Sequence, residues 1–321
     1  MKTMRRKNFF TIGTFLAAVA VLMMAATASL GDSDSTSTAQ FLRIGVGTRA
    51  IAMGGAYTAV GEDITSLYWN PAGIAMQEGR ETEVLYNAFF QDVFQAYVAY
   101  SQPVLRRGSS FGVSLNYVGI GDDIDERDET GKKIGTLDFS NYALGLSYGH
   151  KFNGWIRAGA TLKYVRQELD KYGGDAVALD LGTQLHPYPK WDNLALALTI
   201  QNLGSNMKVE TEDEPLPLTL RFGAAYRFKL LGNWFTLAAD LEKPRDTDVK
   251  FRSGAEYWFG DILALRLGMH TGDEAEGPSL GLAYRAKSIG PVKWLDLEIG
   301  YAYQPFDILG DAHRISLHFR F

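Results

Sequence analysis

The last nine residues, His313 to Phe321 (HRISLHFRF), alternate polar and apolar side chains and stop on a phenylalanine. Strand side chains point alternately to opposite faces, so Ile315, Leu317, Phe319 and Phe321 share one face and Arg314, Ser316, His318 and Arg320 the other. One face is apolar and the other carries charge. A soluble sheet tolerates that pattern. A long series of such segments behind an export signal points instead to a transmembrane barrel, where lipid accepts only the apolar face.

The export signal is present. Lys2, Arg5, Arg6 and Lys7 precede an apolar run from Phe9 to Ala28 that closes on Ala26-Thr27-Ala28. That order predicts a secretory signal peptide over 1–28. A retained membrane anchor is the rival, for which the run is just long enough. No later stretch reaches the 18 or so apolar residues of a membrane helix, so insertion must use strands. The absence of cysteine excludes disulfides and thiolate metal sites, and the net charge of −5 gives no sign of a nucleic-acid partner.

From Arg80 onward about fourteen strand-like segments follow one another, each roughly the 9–11 residues a tilted strand needs to cross a bilayer. They are expected at 80–90, 93–103, 110–119, 141–150, 155–167, 176–186, 194–203, 218–228, 235–242, 249–259, 263–270, 278–285, 294–304 and 313–321. Alternation sorts their faces: Phe111, Val113 and Leu115 oppose Gly112, Ser114 and Asn116, and Leu297, Ile299 and Tyr301 oppose Asp296, Glu298 and Gly300. The fold class is therefore all-β, an antiparallel transmembrane β-barrel of about 14 strands over 80–321. Connections after odd-numbered strands include the long ones, and those after even-numbered strands stay short, such as Asn153-Gly154. Long loops outside and short turns inside put both termini in the periplasm of a bacterial outer membrane.

Residues 29–40 are small and polar and are expected to be flexible. Residues 41–79 are rich in glycine and turn signals and keep no period-two run. Inward barrel positions include many small residues, among them Gly159, Gly182, Gly223, Gly268 and Gly281. About fourteen strands lie between the side-chain-filled eight and the water-filled sixteen, so the unit 41–79 is expected to enter from the periplasm and plug the lumen. Inward charges gather on later strands: Arg221, Arg227, Arg252, Glu256, Arg266, Asp296 and Glu298. Their mixed signs favour pairing with one another and with Arg43, Arg49, Glu62 or Asp63 over an ion path. Trp155, Trp234, Trp258 and Trp294 fall near the periplasmic ends with inward parity. Either strand-end bulges turn them to the headgroups or they line the inner mouth.

Other constellations carry little chemistry. Gly45-Val46-Gly47-Thr48-Arg49-Ala50 lacks the strand and distal acid of a dinucleotide site. Ser316 and His318 share a face without a visible orienting group, and the five histidines show no ligand spacing, so no catalytic group, metal or cofactor is expected. The acidic stretch Asp122 to Glu129 fails the calcium-loop pattern at Asp128. It stands as a solvated loop, with bridging of divalent ions to lipopolysaccharide left open.

Phe41 to Ala50, Ala52 to Val60, Asp63, and Trp69-Asn70-Pro71-Ala72-Gly73 together resemble the amino-terminal signature of the PorV/PorQ family, within the FadL-like superfamily of fatty-acid channels. The resemblance implies a fourteen-stranded barrel with a hatch. Its motif falls here on Arg49, Gly54, Gly55, Asp63, Trp69, Asn70, Pro71, Ala72 and Gly73. It implies no enzymatic activity. It implies a role as a type IX secretion carrier or docking barrel whose partners are secretion components or cargo, the alternative being uptake of hydrophobic compounds such as long-chain fatty acids. The terminal Phe321 resembles the signal read by the outer-membrane barrel-assembly machinery.

Overall fold

The computed structural model describes residues 37–321 except 90–91, 105–107, 122–123, 128–129, 138, 171, 188–192, 210–211, 272–276, 289–293 and 307–309. The signal peptide expected over 1–28 and most of the acidic stretch lie outside the described residues. Fourteen antiparallel strands close into a barrel in chain order, from Glu81–Ala88 to Asp311–Arg320, and these two pair to complete the ring. Every expected strand segment corresponds to one of them. Two further hairpins rise from long connections, Ile124–Arg127 with Lys133–Leu137 and Met207–Val209 with Glu212–Glu214.

The period-two pattern dictates the wall. Phe111, Val113, Leu115, Leu144, Leu146, Leu267 and Ile299 stand exposed on the outer surface, while their neighbours point inward and are covered. Lipid makes that exposure favourable, since apolar surface there never meets water. Turns suit the twist of the strands they join: Leu231 (φ 52°) and Gly232 (φ 83°) form a two-residue reversal with both φ positive, as a tight hairpin requires. Among the described residues the barrel ladders carry one register shift, between Leu179 and Leu181.

Inside the ring lies a unit of short helical segments, Gln40–Arg43, Thr48–Ala52, Ser66–Trp69 and Pro71–Met76. None is long enough to be stable alone. Burial holds them: Met53, Tyr57, Ile64, Leu67 and Ile74 are almost fully enclosed. This hatch begins earlier than residue 41. Ser37 hydrogen-bonds Asp246, the Thr38 amide donates to the Pro215 carbonyl at 3.1 Å, and the Ala39 amide donates to Gln167 Oε1 at 2.9 Å. Residues 37–40 are therefore fastened, although their small polar composition predicts flexibility. Ala39 is buried in an apolar cluster with Phe41 and Leu42, and the backbone and hydroxyls of this stretch satisfy acceptors of the loops and wall.

These contacts also correct the expected path of the chain. Asp246 and Pro215 belong to the long-connection end of the barrel, whereas Arg80 pairs with Phe321 at the short-turn end, the Arg80 amide donating to the Phe321 carbonyl at 2.7 Å. The hatch thus runs through the lumen from one end to the other. Ser37 and Phe321 lie at opposite ends, so a plug that enters on the side of the carboxy terminus does not describe these residues.

The tryptophans divide. Trp258 is 6% exposed and faces inward beneath Arg285, whose guanidinium lies 4.1 Å from the ring centroid, and Trp234 packs beside it. Trp294 is 68% exposed and touches Phe321 on the outside, and Trp155 is half-buried at a turn. In single-tryptophan variants, brominated acyl chains are expected to quench Trp294 strongly and to leave Trp258 bright. Equal quenching of the two would contradict the inward placement of Trp258.

Candidate functional site

The glycine-rich wall is a socket moulded to the hatch. A Cβ added at Gly159 would strike the Pro71 backbone, at Gly182 the Asn70 side chain, at Gly268 the Gly54 amide and at Gly281 the Ala52 methyl. Small inward residues therefore leave no open space here. They allow the hatch backbone to approach the wall closely.

The hatch motif explains its own shape. Gly54 (φ 67°) and Gly55 (φ 79°) take left-handed backbone where the chain turns against the wall, and a side chain on Gly54 would meet Met269 and Ser253 backbone atoms at 2.7 Å. Asn70 caps the segment Pro71–Met76, its Oδ1 accepting from the Ala72 amide at 3.1 Å. Its Nδ2 donates to the Thr58 carbonyl (2.9 Å) within the hatch and the Thr183 carbonyl (3.1 Å) of the wall. Pro71 at the first helical position loses no hydrogen bond. Gly73 is pressed against Gly61 and Ser66, leaving no room for a side chain. Trp69 donates Nε1 to the Val46 carbonyl at 2.8 Å and packs edge-on against Tyr57 and Tyr68.

Charge ties this unit to the barrel. Arg49 makes a two-pronged contact with Glu256, Nε to Oε2 and Nη2 to Oε1, both at 2.7 Å. It also donates to Asp63 at 3.1 Å. Glu256 accepts from Arg266 at 2.8 Å, Arg266 reaches Glu298 at 3.0 Å, and Arg285 pairs with Glu298 at 2.7 Å. The result is a chain of alternating charge from hatch to wall. Paired forks of this kind are the stronger class of ion pair, and each buried charge in the chain depends on its neighbour. Burial alone would disfavour an ionised Asp63, but Arg49, His318 and the Thr65 and Tyr57 hydroxyls outweigh it and hold the carboxyl well below the ordinary range. Asp240 fastens a second point, accepting the Tyr57 and Thr58 amides at 3.0 and 2.9 Å.

The predicted lumen residues are thus mostly paired. Arg221 and Arg252 share Glu242 at 3.1 and 2.6 Å, and Arg221 lies over Trp69. Arg227 stands apart at the open mouth with its guanidinium 4.5 Å from the Trp234 centroid. Asp296 accepts the Ser288 amide at 3.0 Å and caps a turn outside the network. Sequence reasoning missed Arg157, which holds Glu62 at 2.8 Å, and Glu81, which accepts from the Ile64 amide and from His318. It did not single out Arg314 either. Inward parity places all three, but not their partners. Among the described residues no group of His, Asp or Glu is arranged to hold a metal ion.

Two cavities flank the hatch. One of about 280 Å³ lies toward the long connections, between Trp69, Arg221, Arg252 and Arg314. The other, about 340 Å³, lies toward the short turns beside Asp63, Glu81, Trp258 and Arg285. They have no lining residue in common.

Comparison with known proteins agrees with this architecture. The profile of the family described as type IX secretion system protein PorV matches residues 30–244. No curated protein matches the chain. Among solved structures, the toluene transporter TbuX of Ralstonia pickettii superposes with a TM-score of 0.61 at 15% identity, covering 86% of this chain and 97% of its own. The Pseudomonas putida toluene transporter TodX gives 0.59 at 13% identity, covering 86% and 96%. The monoaromatic hydrocarbon channel CymD gives 0.61 at 14%, covering 86% and 97%. At such identities the shared property is the fold.

Proposed function

The chain belongs to the family described as type IX secretion system protein PorV, and on that premise we propose that it is a non-enzymatic barrel of the bacterial outer membrane that serves secretion as a carrier or docking body, with its lumen kept shut. The observation that carries this reading is the pair of cavities with no lining residue in common, separated by a hatch seated in a glycine socket and pinned by buried ion pairs. The barrel's register shift among the described residues is bridged by Lys163 to Asp180 at 2.7 Å and by the Asn202 amide to Asp180 at 2.7 Å, which closes the wall there. Its partners in this reading are type IX components or their cargo, met at the loops and rims. Phe321 serves the barrel-assembly machinery that inserts the chain into lipid, and the hatch motif from Arg49 to Gly73 keeps the lumen closed.

The second reading is uptake of hydrophobic compounds, favoured by the fold shared with TbuX and TodX. A lock on the hatch tests the closed-lumen reading. Thr48 Oγ1 of the hatch lies 2.7 Å from Ser316 Oγ of the last strand, so Thr48→Cys with Ser316→Cys in this cysteine-free chain brings two sulfurs within bonding reach. Oxidising the pair in living cells is expected to leave cargo at the cell surface unchanged. Loss of cargo secretion on oxidation, restored by a reductant, would show that the hatch must move and would sink the closed-lumen reading.

A further inference from the structure

Arg314 is 2% exposed, and its Nε and Nη1 meet no hydrogen-bond acceptor among the described residues. Its guanidinium carbon lies 5.4 Å from the centroid of the Phe89 ring. Every other arginine among the described residues that line the cavity toward the long connections has a carboxylate: Arg43 has Asp246, and Arg221 and Arg252 share Glu242. A guanidinium taken from water without an anion costs several kcal/mol. Chains keep such a group where something binds it.

The surroundings narrow what that is. Among the described residues the cavity is lined by five cations, Arg43, Arg221, Lys250, Arg252 and Arg314, with Glu242 as the lining carboxylate and Asp246 holding Arg43. Beside the charge stand Phe89, under the Arg314 guanidinium, and Phe306, edge to face with Phe89 at a centroid distance of 6.1 Å, together with Trp69 under Arg221. The volume, about 280 Å³, falls just under the roughly 300–1,000 Å³ of pockets for drug-sized ligands. We infer that the cavity on the long-connection side of the hatch is a binding site for a compact aromatic carboxylate, whose carboxylate pairs with Arg314 while its ring lies against Phe89 and Phe306. A guanidinium fork matches a carboxylate in two parallel hydrogen bonds. A neutral hydrocarbon would leave Arg314 as unpaired as before. The site is distinct from the docking role and does not depend on it.

The test uses the whole barrel, hatch included, in a non-ionic detergent, with benzoate as probe and calorimetry as readout. Saturable binding of one benzoate per barrel is expected, along with a rise in unfolding temperature. Arg314→Met should weaken benzoate binding at least tenfold and abolish the rise, Arg314→Lys should fall between, and toluene should not compete. Heat-modifiable migration of each variant checks that the barrel is folded. Absence of saturation, equal binding by folded Arg314→Met, or competition by toluene at benzoate-like concentrations would each overturn the assignment.

Discussion

Removing residues 37–79 should turn a silent barrel into a conducting one. In planar bilayers the intact protein is expected to show little current, because the hatch fills the ring between two cavities that share no lining residue. The truncated barrel keeps its fourteen strands and loses what fills them. Its inner wall at Gly159, Gly182, Gly268 and Gly281 carries no side chain to take the vacated space. A ring of this size without its filling is close to the strand number at which barrels hold a water channel. Discrete, large unit conductances are therefore expected. Gly268→Leu should give a weaker form of the same result, since its side chain would occupy the place of the Gly54 backbone. An unchanged conductance from a truncated barrel that still shifts on heating would mean that the hatch does not close the pore.

Replacing Arg49 by Met should loosen the hatch by about 3–5 kcal/mol, the usual cost of stripping a partner from buried charge. The substitution leaves Asp63 without its cation and removes one of the two that Glu256 holds. Denaturant unfolding read through Trp69, which packs within the hatch, measures it. Adding Glu256→Gln and Asp63→Asn should recover part of the loss, because the stranded charges go with the cation. A full-sized loss in the triple variant would assign the effect to packing of the Arg49 stem. The pH dependence follows from Asp63, whose carboxyl is held below its ordinary value against the cost of burial. A carboxyl depressed on folding contributes stability above its unfolded pKa, about 3.9, and loses it as pH falls through the lower folded value. The hatch should therefore stay equally firm from neutral pH down to about pH 5 and weaken only in stronger acid. Weakening between pH 7 and 5 would place a different group in control.

Much of this molecule was legible before any fold was known. All fourteen barrel strands stand where alternation put them, because a period of two is a local property that lipid enforces residue by residue. Inward parity picked out Arg221, Arg252, Glu256, Arg266 and Glu298, and their mixed signs announced pairing. The density of small residues announced a filled lumen. Particular partners were not legible. Arg49 meets Glu256 across 207 residues of chain, and nothing near either residue encodes the other.

What the sequence determined by itself is therefore the wall: its strands, its faces and the presence of a plug, since each depends on neighbours in the chain. The tertiary structure alone decided that Ser37–Gln40 are fastened, that the hatch runs from the long connections to the short turns, and that Trp258 and Trp294 fall on opposite faces. It also decided that Arg314 remains without a counter-charge among the described residues. These outcomes depend on the register of a closed ring and on how an irregular segment of short helical turns settles inside it. Contacts of that kind join residues hundreds of positions apart, and they exist only once the barrel has closed.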